Sequence, residues 1–146
     1  MTLAAASTVA MAQAAKPAPA GKSNAANEHA GHSHGGGKYA ALVSASSDCG
    51  RIAQICLSHT LGLLGQGDKV MAACAVSVTE LLATCDALMK LAASNSKYTP
   101  KMAALTLTVC QDCEKECRKH EKTHQECKDC ADACAACATE CKKVAA

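Results

Sequence analysis

From Tyr39 onward, apolar positions recur every three or four residues, the spacing of one face of an α-helix. The first stretch carries Leu42, Ala45, Cys49, Ile52, Cys56, His59 and Leu63. It stops at Gly65-Gln66-Gly67-Asp68, where Gly suits a helix end and Asp68 the next N-cap. The second keeps the phase through Met71, Cys74, Val78, Leu81, Cys85, Leu88 and Ala92, with Met89 beside it. A polar break at Ser94 to Thr99 follows, and Pro100 fits the first turn of a third helix running to about His120. A turn near Glu121 to Thr123 leads into a fourth helix, which ends around Lys142 and Lys143, cations suited to a helix C-terminus. No segment shows the period-two alternation of a strand. Four amphipathic stretches with short connections predict an all-α antiparallel four-helix bundle over residues 39–146.

In an ordinary bundle the stripe would be Leu or Ile. Here, in the fourth segment, it is Cys127, Cys130, Cys134, Cys137 and Cys141, at spacings of three and four. The third segment continues the theme with Cys110, Cys113 and Cys117, followed at the same spacing by His120 and His124. Two adjacent helices are thus expected to point columns of sulfur into one interior. In an up-down-up-down bundle the C-terminal ends of the first and third helices meet at one end. His59 and His120 belong there, with His124 and Cys127 at the last turn and Met71 at the start of the second helix. The expected arrangement is a thiol-lined interior with His59, Met71, His120 and His124 at one mouth.

Neighbouring thiolates on one helix face can share a metal ion. Cu(I) accepts two or three soft ligands and is selected by thiolates and thioethers, whereas each closed Zn(II) site asks for four. A continuous thiol ladder therefore suits a chain of low-coordinate Cu(I) ions, with His and Met as weaker, exchangeable ligands at the opening. The candidate ligands are the twelve Cys (also Cys49, Cys56, Cys74 and Cys85) together with His59, Met71, His120 and His124.

Composition narrows the alternatives. A net charge of +2 with no basic patch, and two Tyr as the only aromatics, argue against nucleic acid as a partner. Without Trp or Phe, the interior must be filled by Ala, Leu and Cys. No apolar run approaches the ~20 residues of a bilayer span, so no membrane segment is expected. Residues 1–14 read as the remnant of an export signal: Leu3 to Ala15 is small and apolar, and Ala12-Gln13-Ala14 fits a cleavage site, although no basic region precedes it. Export would place the protein in the periplasm; without a signal function there, it would be cytosolic. Residues 15–38 form a Pro-, Gly- and Ser-rich linker expected to be disordered. Its His29, His32 and His34 are either a weak metal-binding tract or part of a solvated spacer.

Four other readings compete. Many Cys in an exported chain usually means disulfides, but thiols in one helical column are poorly placed to bridge each other, which leaves only cross-helix pairs. A disulfide-stapled structural or interaction domain stays open on this basis. Iron–sulfur binding fits the C-x-x-C units, yet the alternation runs on too long and the usual following Pro is missing. A thiol oxidoreductase needs one distinguished nucleophile, and this pattern offers none. Cys acting as a small hydrophobe accounts for Cys49, Cys56, Cys74 and Cys85 individually, but poorly for eight Cys between Cys110 and Cys141. Beyond these four, a copper-transfer or redox protein that passes ions or electrons to a partner is a further rival.

The C-x-x-C-x-x-x-C at Cys110 to Cys117, His120 and His124 after it, and the Cys127 to Cys141 run resemble the Cys-lined four-helix-bundle copper storage proteins, especially their exported bacterial members. Cys49, Cys56, Cys74 and Cys85 match the sparser thiols of the family's first two helices. The likeness covers roughly Tyr39 to Val144. It implies a non-enzymatic store of many Cu(I) ions, about one per thiol, and tetrameric assembly. It also implies, in methane-oxidising bacteria, copper supply to a methane monooxygenase. Exported members carry a twin-arginine signal, whereas no Arg pair precedes Leu3 here. Apolar residues off the stripe (Val76, Leu82, Leu105, Leu107 and Val109) are independently expected to leave some exposed surface for a symmetric homo-oligomer.

Overall fold

The computed structural model describes residues 37–146. The expected export segment and most of the linker, with His29, His32 and His34, lie outside the described residues. Four helices follow: α1 (Ala40–Gly65), α2 (Ala72–Ala93), α3 (Thr99–Arg118) and α4 (Gln125–Lys142), with a short 3₁₀ turn at Lys69–Met71 before α2. Each packs against its neighbours in sequence, and α4 closes the ring against α1. Among the described residues there is no strand, and the architecture is the antiparallel four-helix bundle expected.

The helix ends are set by local chemistry. After α1, Gly67 takes φ +94°, the left-handed conformation a glycine adopts without steric cost. Its N–H then bonds the Leu64 carbonyl at 2.9 Å and that of Asp68 bonds Leu63 at 3.1 Å, the paired bonds of a Schellman stop. Asn95, at φ 51°, closes α2 in the same way, with Asn95 N to Ala92 O at 3.0 Å and Ser96 N to Leu91 O at 2.9 Å. The Asp68 carboxylate accepts from Val70 N at the 3₁₀ turn. Pro100 lies in the first turn of α3, where its missing N–H costs nothing. α3 ends at Arg118, two residues short of expectation, leaving His120 in the turn to α4.

On α2 the buried stripe is the one expected, from Met71 through Ala92, with Ala75 added. On α1 the phase differs. Leu42, Cys49 and Cys56 are buried as read, but Ser46, Ala53 and Thr60 occupy the interior where Ala45, Ile52 and His59 were expected. Both choices satisfy a three/four spacing, and Ile52 attracts a reading based on hydrophobicity. Angular position decides instead, and Ile52 packs at the edge of the core. The interior polar groups stay paired: the Ser46 hydroxyl donates to Leu42 O at 2.6 Å and that of Thr60 to Leu57 O at 3.0 Å.

Among the described residues one segment, Lys69–Ala93, is long and apolar enough to cross a membrane by length and composition alone, with a mean hydropathy of 1.5 over an 18-residue window. Its Ala, Val and Cys raise the average without forming one unbroken apolar run. In the bundle one face of this helix is core, while Val76 on the other is 60% exposed.

Leu42, Met71, Val78, Leu81 and Leu88 are fully buried away from the thiol columns' own helices, each contributing about 1.5–3 kcal/mol by leaving water. These contacts need no metal. Reduced, copper-free protein is therefore expected to give a helical circular-dichroism spectrum that Cu(I) changes little. A coil that folds only on adding metal would show that the ions, not the apolar contacts, drive folding.

Candidate metal site

All twelve Cys are buried and all are free thiols. They project from four helices into one interior, because each sits on its helix's inward stripe. Cys74 and Cys117 Sγ are 3.8 Å apart, Cys113 and Cys117 3.9 Å, and Cys56 and Cys127 4.0 Å. These separations far exceed a disulfide bond of ~2.05 Å but suit two sulfurs sharing an ion, since thiolate–metal bonds run near ~2.3 Å.

Four groups of sulfurs lie within 4.8 Å of one another: Cys56–Cys74–Cys127, Cys56–Cys117–Cys130, Cys113–Cys130–Cys134 and Cys49–Cys85–Cys110–Cys137. Three have the three-donor arrangement Cu(I) accepts. The fourth takes one sulfur from each helix. Cys49, Cys56, Cys74 and Cys85, individually explicable as core filler, thus complete groups begun by α3 and α4. Cys141 belongs to none and caps the column on α4.

At the expected mouth, His59 Nε2 and His124 Nδ1 are 3.0 Å apart, with ring centroids at 5.0 Å. His124 is placed by its extended conformation (φ −131°, ψ 110°) as the residue that starts α4. His120 lies in the α3–α4 turn and does not join that pair. Its buried Nε2 has no hydrogen-bond partner among the described residues, with Glu116 Oε1 at 3.8 Å. Met71 sits at the same end but is 1% exposed, buried in the core rather than at the surface. Spacing missed Glu126, whose carboxylate is 3.6 Å from His59 Nε2; the 66 intervening residues left no local signal. Glu116, four positions before His120, was readable as a same-face neighbour. Arg118 also went unread: it ties the turn to α4 through Asp132 at 2.7 Å and Glu121 at 2.9 Å.

The thiols act chiefly on one another. Hydrogen bonds from Cys110 and Cys117 lower Cys49 and Cys56, respectively, to about 5. Cys113 and Cys137 are also drawn down, mainly by Cys117 and Cys110. The partners move the other way. Cys137 pushes up Cys110 and Cys141, and Cys113 pushes up Cys117, Cys130 and Cys134. At Cys127 the Cys56 hydrogen bond favours the thiolate, but Cys74 and burial outweigh it and the group reaches about 12. Cys85 rises as well: Cys110 lowers it, and Cys137, Cys49 and burial prevail. The interior is a mutually hydrogen-bonded set of sulfur donors and acceptors, with no titratable side chain of another kind among its dominant influences.

Residues 35–146 match a family model described as copper storage protein. An uncharacterized cysteine-rich protein of Bacillus subtilis (strain 168), YhjQ, is 29% identical over 106 residues, covering 73% of this chain and 94% of its own. Among solved structures, the Cu(I)-bound copper storage protein BsCsp3 aligns with a TM-score of 0.66 and 29% identity, over 73% of this chain and 96% of that one. Apo copper storage protein 3 from Bacillus subtilis aligns with a TM-score of 0.64 and 29% identity, over 73% and 97%. The family match spans all four helices and every thiol column, and the chain belongs to the copper storage protein family.

Proposed function

We propose that this protein stores several Cu(I) ions per chain through Cys thiolates inside the bundle, with His59, His124, His120 and Met71 governing entry and release. The observation that carries the reading is the set of four buried sulfur groups, three of them with the three-donor arrangement that suits Cu(I) better than Zn(II). A store differs from a catalyst in holding its ions away from solvent, and the burial of all twelve sulfurs supports that role. The similarity to a Cu(I)-bound copper storage protein supports the oxidation state. The apolar Leu3 to Ala15 and Ala12-Gln13-Ala14 support export to the periplasm. Exposed Val76 and Leu105 support a homo-oligomer, with a tetramer the assembly expected. The recipient of released copper would be a copper-dependent protein such as a methane monooxygenase.

The pH dependence of loading tests this reading. Thiols pushed above their ordinary value hold protons at neutral pH, so each one that binds copper must release a proton. Their contribution to affinity therefore rises with pH through neutrality and is lost first on acidification. Cys49 and Cys56, at about 5, are protonated only below that pH. Cu(I) loading in weak buffer at pH 7.5 is expected to release protons. Bound copper should fall progressively on acidification, with a last fraction lost below about pH 5. Loading without proton release would count against thiolate ligation.

A further inference from the structure

Sulfur is not spread evenly along the bundle. On α1, Cys56 and Cys49 are about two helical turns apart, with fully buried Ala53 between them. On α2, Cys74 and Cys85 are about three turns apart, and buried Val78 and Leu81 fill the interval. At the middle level these two helices therefore offer no sulfur, and the one polar side chain facing the column there is the Ser77 hydroxyl, which hydrogen-bonds toward Cys113. There the sulfur column is continued by α3 and α4 alone, through Cys113, Cys130 and Cys134.

The donor groups have a matching connectivity. Cys56 belongs to both groups nearest the mouth, and Cys130 links the second of these to Cys113–Cys130–Cys134. An ion can cross these three groups while always keeping one sulfur. The group Cys49–Cys85–Cys110–Cys137 shares no sulfur with the others. From the mouth side its neighbours are Cys134, one turn from Cys137 on α4, and Cys113, one turn from Cys110 on α3, while Cys141 lies one turn beyond Cys137 at the far end.

We propose that Cys113 and Cys134 form a neck through which Cu(I) must pass from the mouth-side thiols to the four-thiol group, controlling its filling without being its ligands. This deepens the storage reading and rests on it. The step is ligand exchange without change of oxidation state. A Cu–S bond to Cys137 or Cys49 forms as one to Cys134 breaks, or one to Cys110 forms as one to Cys113 breaks; any proton on the incoming sulfur is given up and is available to the sulfur released. For an ion coming from the mouth side, Ala53, Val78 and Leu81 offer no donor beside the neck, and an unpaired buried charge is strongly disfavoured.

The test compares two ways of loading a Cys113→Ala/Cys134→Ala variant, with Cu(I) either added to the folded apo protein or present during refolding from denaturant. Refolding lets ions reach the four-thiol group before the core closes. The variant is expected to hold less copper per chain by addition than by refolding, whereas wild type and Cys141→Ala hold equal loads by both routes. A Cys113→Ser/Cys134→Ser variant, closer to wild type in volume, gives the same comparison if the alanine variant lacks a helical spectrum. Equal loads by both routes in the neck variants, beside a fully loaded wild type, would overturn the proposal. A wild type that takes up no copper by either route would overturn the storage reading itself and the neck with it.

Discussion

The Cys130→Ser, Cys134→Ser, Cys137→Ser triple variant is expected to lose most of its copper capacity. Cys130 belongs to two sulfur groups, Cys134 to one and Cys137 to the four-thiol group, so the variant leaves only Cys56–Cys74–Cys127 intact. Serine is a poor Cu(I) ligand but nearly matches cysteine in shape. Its hydroxyl can be satisfied within a helix by the carbonyl four residues back, as buried Ser46 already is by Leu42 at 2.6 Å. An unsatisfied hydroxyl would cost about 1–3 kcal/mol, so a helical spectrum must accompany the copper count. Copper per chain after gel filtration measures the effect. A full load in this variant would remove the thiol columns from their assigned role.

The opposite pattern is expected when His59, His120 and His124 are replaced together by Ala. None of the three belongs to a sulfur group, and imidazole is a weaker partner for Cu(I) than thiolate. His59 and His124, with nitrogens 3.0 Å apart, lie at the mouth end of the thiol columns. Stopped-flow transfer of Cu(I) from a chelator complex is expected to be slowed in this variant, or release to a stronger chelator slowed, with most of the equilibrium load retained. Loss of most bound copper would make these residues storage ligands instead.

Periodicity read the architecture well where the stripe was chemically uniform. The α2 stripe from Met71 to Ala92 is buried as expected, and so are the columns on α3 and α4. It read α1 less well, because 3.6 residues per turn lets two phases share Leu42, Cys49 and Cys56. Packing against α2 and α4 chose Ser46, Ala53 and Thr60 over the more apolar Ile52. The gathering of His59, His120 and His124 at one end was legible from connectivity, since helix direction alone places them there. Sulfur grouping was not, because it depends on the axial register of one helix against another. Spacing places Cys130 and Cys134 on one face of α4, but only the assembled bundle shows Cys130 shared between two groups. The long-range pairing of His59 with Glu126 escaped for the same reason.

Titration of freshly reduced wild-type protein with Cu(I), against a competing chelator and alongside a thiol count, tests most directly whether the buried thiolates hold many Cu(I) ions. Twelve reactive thiols are expected in the unfolded apo protein, with tight uptake that continues through several equivalents of Cu(I) per chain. Saturation at one ion or none would contradict thiolate storage.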